Sequence, residues 1–433
     1  MIIAIWLVIA LSTVAMIAAG FSRNRVPVAV SVVIAAMLRV VFALMTSQRY
    51  TPRDVRDYFR ETAELVLRGR EPLQFMPGRE WNFLELMPYV HALEFSSGLP
   101  WVYAVKIAPI VADLVLVWLV SLLAGRDGRT RALQYAVNPL SLLVVSLHGQ
   151  VEPVALAFAL GGIVLLKKER PVAAGILLGA AVAAKTWPII ILLAVLPLRQ
   201  PRRAGQIVLG STVVPAACLL SGVVFLGTNV RHALTRIVSY SGYVREWTWS
   251  GTYMTLFRHV GAGYDSKLSA PATILIVAGV ATALWLFRRH PPEARALAAL
   301  CAVLACTAGF GIQYLFWVLP LTIALAGAGR YWYAAMASGW AAIAYLLPFG
   351  TYATPVWLTG LSWLPASALV AVIVEQYRMP ARIGTERRLV PALPASPYAP
   401  RPDMAAVPDR QLAASTHGRS DGQHRGRDPS VPG

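Results

Sequence analysis

The sequence predicts an all-α, polytopic helical membrane protein with about 11–13 transmembrane helices. Three observations carry this. Hydrophobic residues make up 57% of the 433-residue chain, against 14% charged residues. The mean hydropathy is +0.58. Apolar runs of about 20 residues, the length an α-helix needs to cross a hydrocarbon core, recur along most of the chain. A water-soluble domain is nearer about 45–50% apolar and about 25% charged, so soluble, disordered, collagen-like and disulfide-scaffold classes are excluded.

The spans follow in order. The first run, Ile2–Gly20, lacks a basic leader and a cleavage site, so it reads as a span with its N-terminus outside, not a signal peptide. It ends at Ser22-Arg23-Asn24-Arg25, and a second span covers 26–46. A polar segment, 47–100, then lies outside. Spans at 101–124, 132–147 and 153–166 alternate against the basic gaps 125–131 and 167–170. The stretch 171–198 is basic at both flanks, so both ends belong on the cytoplasmic side. It is too short for two full spans, which predicts a hairpin of two short helices with Lys185-Thr186-Trp187-Pro188 at its tip. A span at 204–226 leads to a second outside loop, 227–269. Spans at 270–287, 295–310, 311–328, 331–347 and 357–376 complete a polytopic domain, 1–376. Segment 377–433, rich in Pro, Ala, Arg, Ser and Gly, reads as a disordered basic cytoplasmic tail.

The net charge is +18. Most basic residues occupy short gaps between apolar runs, where they act as topology signals, and no nucleic-acid partner is expected. Cys218, Cys301 and Cys306 all lie in apolar runs and read as packing residues, so no disulfide framework and no metal site is expected. Arg outnumbers Lys 34 to 5, which suggests a GC-rich bacterial source. The expected location is the cell membrane.

Acidic residues are the informative minority. Eight of the 21 fall in 47–100: Asp54, Asp57, Glu61, Glu64, Glu71, Glu80, Glu85 and Glu94. Asp54 suits the first turn of a helix that ends near Gly69 and carries Asp57 and Tyr58. That helix reads as amphipathic at the membrane surface, with a solvated charged helix as the simpler alternative. His148-Gly149-Gln150-Val151-Glu152 meets the same side after Asn138-Pro139; a polar turn is its simpler reading. Arg39, Lys106, Asp113 and Lys185 are intramembrane charges and functional candidates. Lys106 lies near a span end, where snorkelling suffices, and Asp113 suits a structural ion pair. Arg39 and Lys185 point to the outer side, where an anionic lipid headgroup would sit. Loop 227–269 carries Arg245 among Arg, Tyr and Trp residues that suit phosphate and sugar or line an interfacial belt. Gln313-Tyr314 with Trp317 and Pro320 opens a later span.

Taken in order, these motifs resemble the GT-C superfamily of integral-membrane glycosyltransferases, nearest its mannosyltransferase-like branch that uses polyprenol-phosphate sugars. Asp54, Tyr58 and Gly69 are similar to that family's first-loop pattern. Asn82-Phe83-Leu84-Glu85-Leu86-Met87-Pro88 departs from its Asn-Tyr-Pro-Pro-Leu, and Glu152 stands where it usually has Asp. Ala184-Lys185-Thr186-Trp187-Pro188 resembles its Lys–Pro hairpin. The resemblance spans residues 26–376.

The resemblance implies an inverting hexosyltransferase that moves mannose from a polyprenyl-phosphate sugar to a glycolipid or cell-envelope glycan acceptor. No metal or other cofactor is implied. Asp54 would be the base, with Asp57 in reserve. Arg39, Lys185 and Arg245 would hold the lipid-linked phosphate. Tyr58, His148, Gln150, Glu152, Gln313 and Tyr314 would contact substrate. The alternatives are a transporter or flippase for an anionic or lipid-linked substrate, and an inactive family member that binds partners through its tail.

Overall fold

The computed structural model describes residues 2–76, 83–239, 247–257, 263–346 and 356–379, without the side chains of 263–267 and 356. Apolar runs cut by proline and basic gaps fold as helices: 81% of the described residues are helical and none is in a strand. The expected tail lies outside the described residues from 380 onward, as do Asn82 and Arg245.

The chain opens with α1 (Ile2–Ala19) and α2 (Val28–Thr46). A π-helical turn, Asp54–Phe59, runs into α3 (Arg60–Leu67), and α4 (Pro72–Phe75) and α5 (Leu86–Phe95) complete the first polar segment. Next come α6 (Trp101–Ala104) and α7 (Ile107–Leu123), then α8 (Gly128–Ala136), α9 (Pro139–Ser141) and a second π-helical stretch, Leu142–His148. After α10 (Glu152–Lys167), the broken pair α11 (Pro171–Ala184) and α12 (Ile189–Val195) precedes α13 (Pro201–Ser221). The second polar segment holds α14 (Val230–Val238) and α15 (Thr248–Leu256). The chain then runs through α16 (Gly263–Leu286), α17 (Pro292–Cys306), α18 (Leu315–Leu325), α19 (Gly329–Leu346) and α20 (Val356–Arg378).

Among the described residues, six helices are long and apolar enough to cross a membrane: Ile2–Ala19, Val28–Thr46, Trp101–Leu123, Pro201–Leu226, Leu268–Leu286 and Trp357–Arg378. Shorter apolar pieces, among them Pro171–Ala184 and Ile312–Leu325, pack between them. Such pieces are tolerated at membrane depth when protein surrounds them. Leu143, Val144, Leu147, Phe316 and Leu319 are accordingly sealed in the centre.

The basic gaps gather at one end. The Thr130 N–H donates to Asn24 Oδ1 at 2.8 Å. Lys167 pairs with Glu293 at 2.8 Å and Arg203 with Glu169 at 2.8 Å. Arg330 donates to Gln134 Oε1 at 3.0 Å. Against this frame α11 and α12 form the hairpin read from the flanking charges. α11 rises until Lys185 meets Glu152, the first residue of α10. α12 returns, so that the Val195 carbonyl accepts from Arg295 at 3.2 Å. α11 and α13 approach backbone to backbone: a Cβ on Gly179 would sit 2.3 Å from the Ser211 carbonyl oxygen. Only a residue without Cβ permits that, the usual device where apolar helices pack in lipid.

The span predicted at 132–147 is interrupted in its middle, and the break explains Arg39. Asn138 Oδ1 accepts from the backbone N–H of Leu140 (2.9 Å) and Ser141 (3.4 Å), and Pro139 opens α9. Pro139 has no N–H for the Tyr135 carbonyl, and the Leu140 N–H is diverted from the Ala136 carbonyl. The Arg39 guanidinium takes both: Nη2 donates to Tyr135 at 3.4 Å and Nη1 to Ala136. Its Nε binds Asp113 at 2.6 Å and Nη2 also reaches Ser141 Oγ at 3.0 Å. Tyr135 and Ser141 hydroxyls donate to Asp113 at 2.6 and 2.9 Å. Arg39 and Asp113 are both 0% exposed. Arg39 is therefore a brace for the broken helix, and the expectation that it contacts substrate is corrected: every donor nitrogen is already bonded in a sealed cluster.

Candidate active site

The opposite end of the bundle collects the acidic and polar candidates. Asp54 opens its π-helical turn, a form of helix frequent at functional sites. The turn is pinned by Val55 and Phe59, both buried, and by Trp101, whose indole N–H donates to the Val55 carbonyl at 2.8 Å. Asp54 is thus held on a fixed backbone while its side chain keeps 32% exposure.

His148 closes the second π-helical stretch. Gly149 follows with φ +88°, a left-handed conformation that favours glycine, and turns the chain into Gln150 and the start of α10. His148 Nε2 lies 3.1 and 3.0 Å from the two Asp54 carboxylate oxygens. A carboxylate only accepts, so Nε2 carries the proton of that bond. His148 Nδ1 pairs with the Tyr345 hydroxyl at 2.8 Å, and the two rings meet edge to face with centroids 5.2 Å apart. The Gln150 amide nitrogen also donates to Asp54 Oδ2, and the Val55 N–H donates to Oδ1 at 3.0 Å. Burial works against ionisation of Asp54. The electrostatic pull and hydrogen bond of His148, the Val55 N–H and the Lys185 charge outweigh it, and its pKa falls below the ordinary aspartate value. Asp54 is ionised at neutral pH, with a lobe open to an incoming hydroxyl.

Lys185, at the hairpin tip, is paired with Glu152 and lies over the Phe83 ring at 5.2 Å. Glu152 is 0% exposed, and its second oxygen, Oε2, is buried without a hydrogen-bond partner among the described residues. From the same tip an aromatic stack runs outward. Trp187 stacks on Trp317 (centroids 4.3 Å apart, planes at 12°), and Trp317 stacks on Tyr314 (4.2 Å, 29°). The indole nitrogens of Trp187 and Trp317 are likewise buried without a hydrogen-bond partner among the described residues.

The structure therefore brings Asp54, His148 and Gln150 into direct contact, and Lys185 with Glu152 into a neighbouring ion pair. Tyr314 joins the hairpin tip through the stack, with half-buried Gln313 beside it. Two candidates stand apart. Asp57 is 42% exposed and bonded to Arg56 at 2.8 Å. Tyr58 packs partly against the core under the Arg53 guanidinium, 5.6 Å from its ring centroid. Tyr345 escaped the sequence reading: it is 197 residues from His148 and sits in an apolar run with no motif around it. Lys106 does not snorkel; it is 1% exposed and donates to the Ser146 and Leu147 carbonyls at 2.5 and 3.0 Å. Among the described residues, no group of three or more His, Cys, Asp or Glu side chains is placed to hold a metal ion.

The many apolar helices make this a multi-pass membrane protein, and a family comparison gives its class, a membrane glycosyltransferase of the GT-C type. Residues 95–310 match the family model of glycosyltransferase family 87, GT87, and by that match the chain belongs with those enzymes. Comparison with curated proteins gives no match. The family match supports glycosyl transfer over the transporter or flippase reading.

Proposed function

We propose that this protein transfers a hexose, mannose in the first instance, from a polyprenyl-phosphate donor to a hydroxyl of a lipid or cell-envelope glycan. The reaction takes place on the extracytoplasmic side of a bacterial cell membrane. The observation that carries this is the Asp54 carboxylate, accessible yet held by His148 and Gln150 beside the Lys185–Glu152 pair.

In this reading the acceptor oxygen attacks the anomeric carbon, and its proton passes to Asp54. The bond from that carbon to the phosphate oxygen breaks, and polyprenyl phosphate leaves with the bonding electrons. Lys185 stabilises the charge that grows on the leaving phosphate. Attack opposite the leaving group inverts the anomeric centre. Glu152 Oε2 and the Trp187 and Trp317 N–H groups are hydrogen-bonding capacity that sugar hydroxyls would fill, since buried polar groups are costly when unpaired. Tyr314 and Gln313 border that region. Arg245 remains a candidate for the phosphate. No residue role here depends on a metal or a cofactor; the lipid-linked sugar is itself the donor substrate.

The test is transfer of label by purified protein in detergent with a membrane lipid extract as acceptor. Label appearing in a new product from polyprenyl-phosphate-mannose is the expected result. Transfer only from another polyprenyl-phosphate hexose would correct the sugar. Transfer only from a nucleotide sugar would overturn the donor class.

A further inference from the structure

Lys106 is a buried amine, and among the described residues no carboxylate pairs with it. Its Nζ donates to the carbonyls of Ser146 (2.5 Å) and Leu147 (3.0 Å). These are the last carbonyls before His148, and the chain leaves them unpaired because it turns away. The Gly149 and Gln150 N–H groups both fold back to the Val144 carbonyl, at 3.1 and 3.2 Å, instead of continuing the helical ladder. A helix end buried without partners for its carbonyls is unstable, so a buried donor that supplies them fixes the end. The stem of the same lysine lies against the turn: a Cβ on Gly149 would approach Lys106 Cγ to 3.2 Å. Arg39 treats the break at Asn138–Pro139 in the same span the same way, but there the cation is neutralised by Asp113.

We propose that Lys106 is a positioning residue: its bonds to Ser146 and Leu147 and its packing on Gly149 fix the turn that holds His148 and Gln150 on the Asp54 carboxylate. Lys106 touches neither Asp54 nor substrate; it acts through His148. Its importance for catalysis rests on Asp54 being the base, but its effect on His148 does not.

The direct readout is the protonation of Asp54, which needs no substrate. Asp54 is ionised over the opposition of burial, chiefly because of His148. If Lys106 sets the ring, losing it releases that hold. The experiment follows the Asp54 carboxyl infrared band through a pH titration of the full-length protein in detergent, the band being identified by its loss in Asp54→Asn. Lys106→Met should raise the midpoint by about one pH unit, a tenfold gain in proton affinity. His148→Gln should raise it as well, and the double variant no further than His148→Gln alone, because both act on one contact. A folded Lys106→Met protein with reduced thermal stability and the wild-type midpoint would overturn the proposal and leave Lys106 a structural cap. Should Lys106→Met fail to fold, Lys106→Gln, whose shorter amide does not reach both carbonyls, is read by the same two outcomes. If Asp54→Asn keeps its transferase activity while Lys106→Met shifts the midpoint, the positioning role stands and the base assignment fails.

Discussion

Asp54 and His148 are 94 residues apart in sequence, yet a carboxylate oxygen of one lies 3.0 Å from Nε2 of the other. The bond joins a surface turn to the end of a broken helix inside the bundle. It therefore does two things at once: it ties the first polar segment to the membrane domain, and it sets the charge state of the proposed base.

The first prediction concerns pH. The folded-state pKa of Asp54 is depressed, so the carboxylate stays ionised until pH falls below the ordinary aspartate range. The stability it contributes is present above its unfolded pKa and is lost only as pH falls through the lowered value. The acid limb of kcat/KM in the wild type should therefore lie below that range. His148→Gln removes the main opponents of burial, so the limb should move upward. A pH–rate profile of the two proteins checks this.

The second concerns Arg39. Arg39→Ala would leave Asp113 charged, without its cation and 0% exposed, and would strip the Ala136 carbonyl, while the Tyr135 carbonyl would keep only the Asn138 N–H. A loss of about 3–5 kcal/mol is expected from breaking such a pair. Arg39→Met with Asp113→Leu should recover much of it. Thermal unfolding in detergent reads both. Activity per folded molecule should change little in the double variant, since the cluster holds no substrate.

These two cases show what the sequence made legible. The all-α membrane class, the hairpin at Lys185–Pro188 and the gathering of Asp54 with the 148–152 turn follow from apolar length, basic gaps and proline, all of which are local signals; of the about 11–13 spans expected, six helices among the described residues are long and apolar enough to cross a membrane. Arg39 and Asp113 were each visible as buried charges, but their pairing depends on α2, α7 and the kink after α8 packing together. The π-helical starts and ends at Asp54 and His148 leave no compositional trace, because they redistribute backbone hydrogen bonds and not residue types. Tyr345 could not be found because its partner lies across the bundle. The departures at Glu85 and Glu152 were legible as chemistry but not as position.

The third prediction concerns Glu85, 2% exposed in the first polar segment. Thr228 donates to its Oε1 at 3.3 Å, and its Oε2 has no hydrogen-bond partner among the described residues. Burial, reinforced by the Glu71 carboxylate, raises its pKa over the opposing pull of its own backbone N–H and Thr228. For a raised carboxyl, the folded state binds the proton more tightly, so stability falls as pH rises from the ordinary glutamate value through the folded one. Glu85→Gln should therefore raise Tm by about 2 °C at pH 7 and leave it unchanged near about pH 4. Calorimetry at the two pH values decides.

The fourth concerns Lys185. Lys185→Met alone leaves Glu152 buried without its counter-charge, so the protein should lose stability as well as transfer. Lys185→Met with Glu152→Gln should fold, while kcat stays low by about 10²–10³-fold because the leaving phosphate lacks its cation. Recovery of both stability and kcat in the double variant would mean that the pair is only structural.

The most direct test of the account compares Asp54→Asn with Asp57→Asn in the transfer assay, using wild-type protein and the donor it accepts. Both carboxylates lie on the same helical turn, but only Asp54 is held by His148 and Gln150. The account predicts that Asp54→Asn folds and loses about 10²–10⁴-fold in kcat, whereas Asp57→Asn stays close to wild type. Undiminished transfer by Asp54→Asn, together with loss in Asp57→Asn, would contradict it.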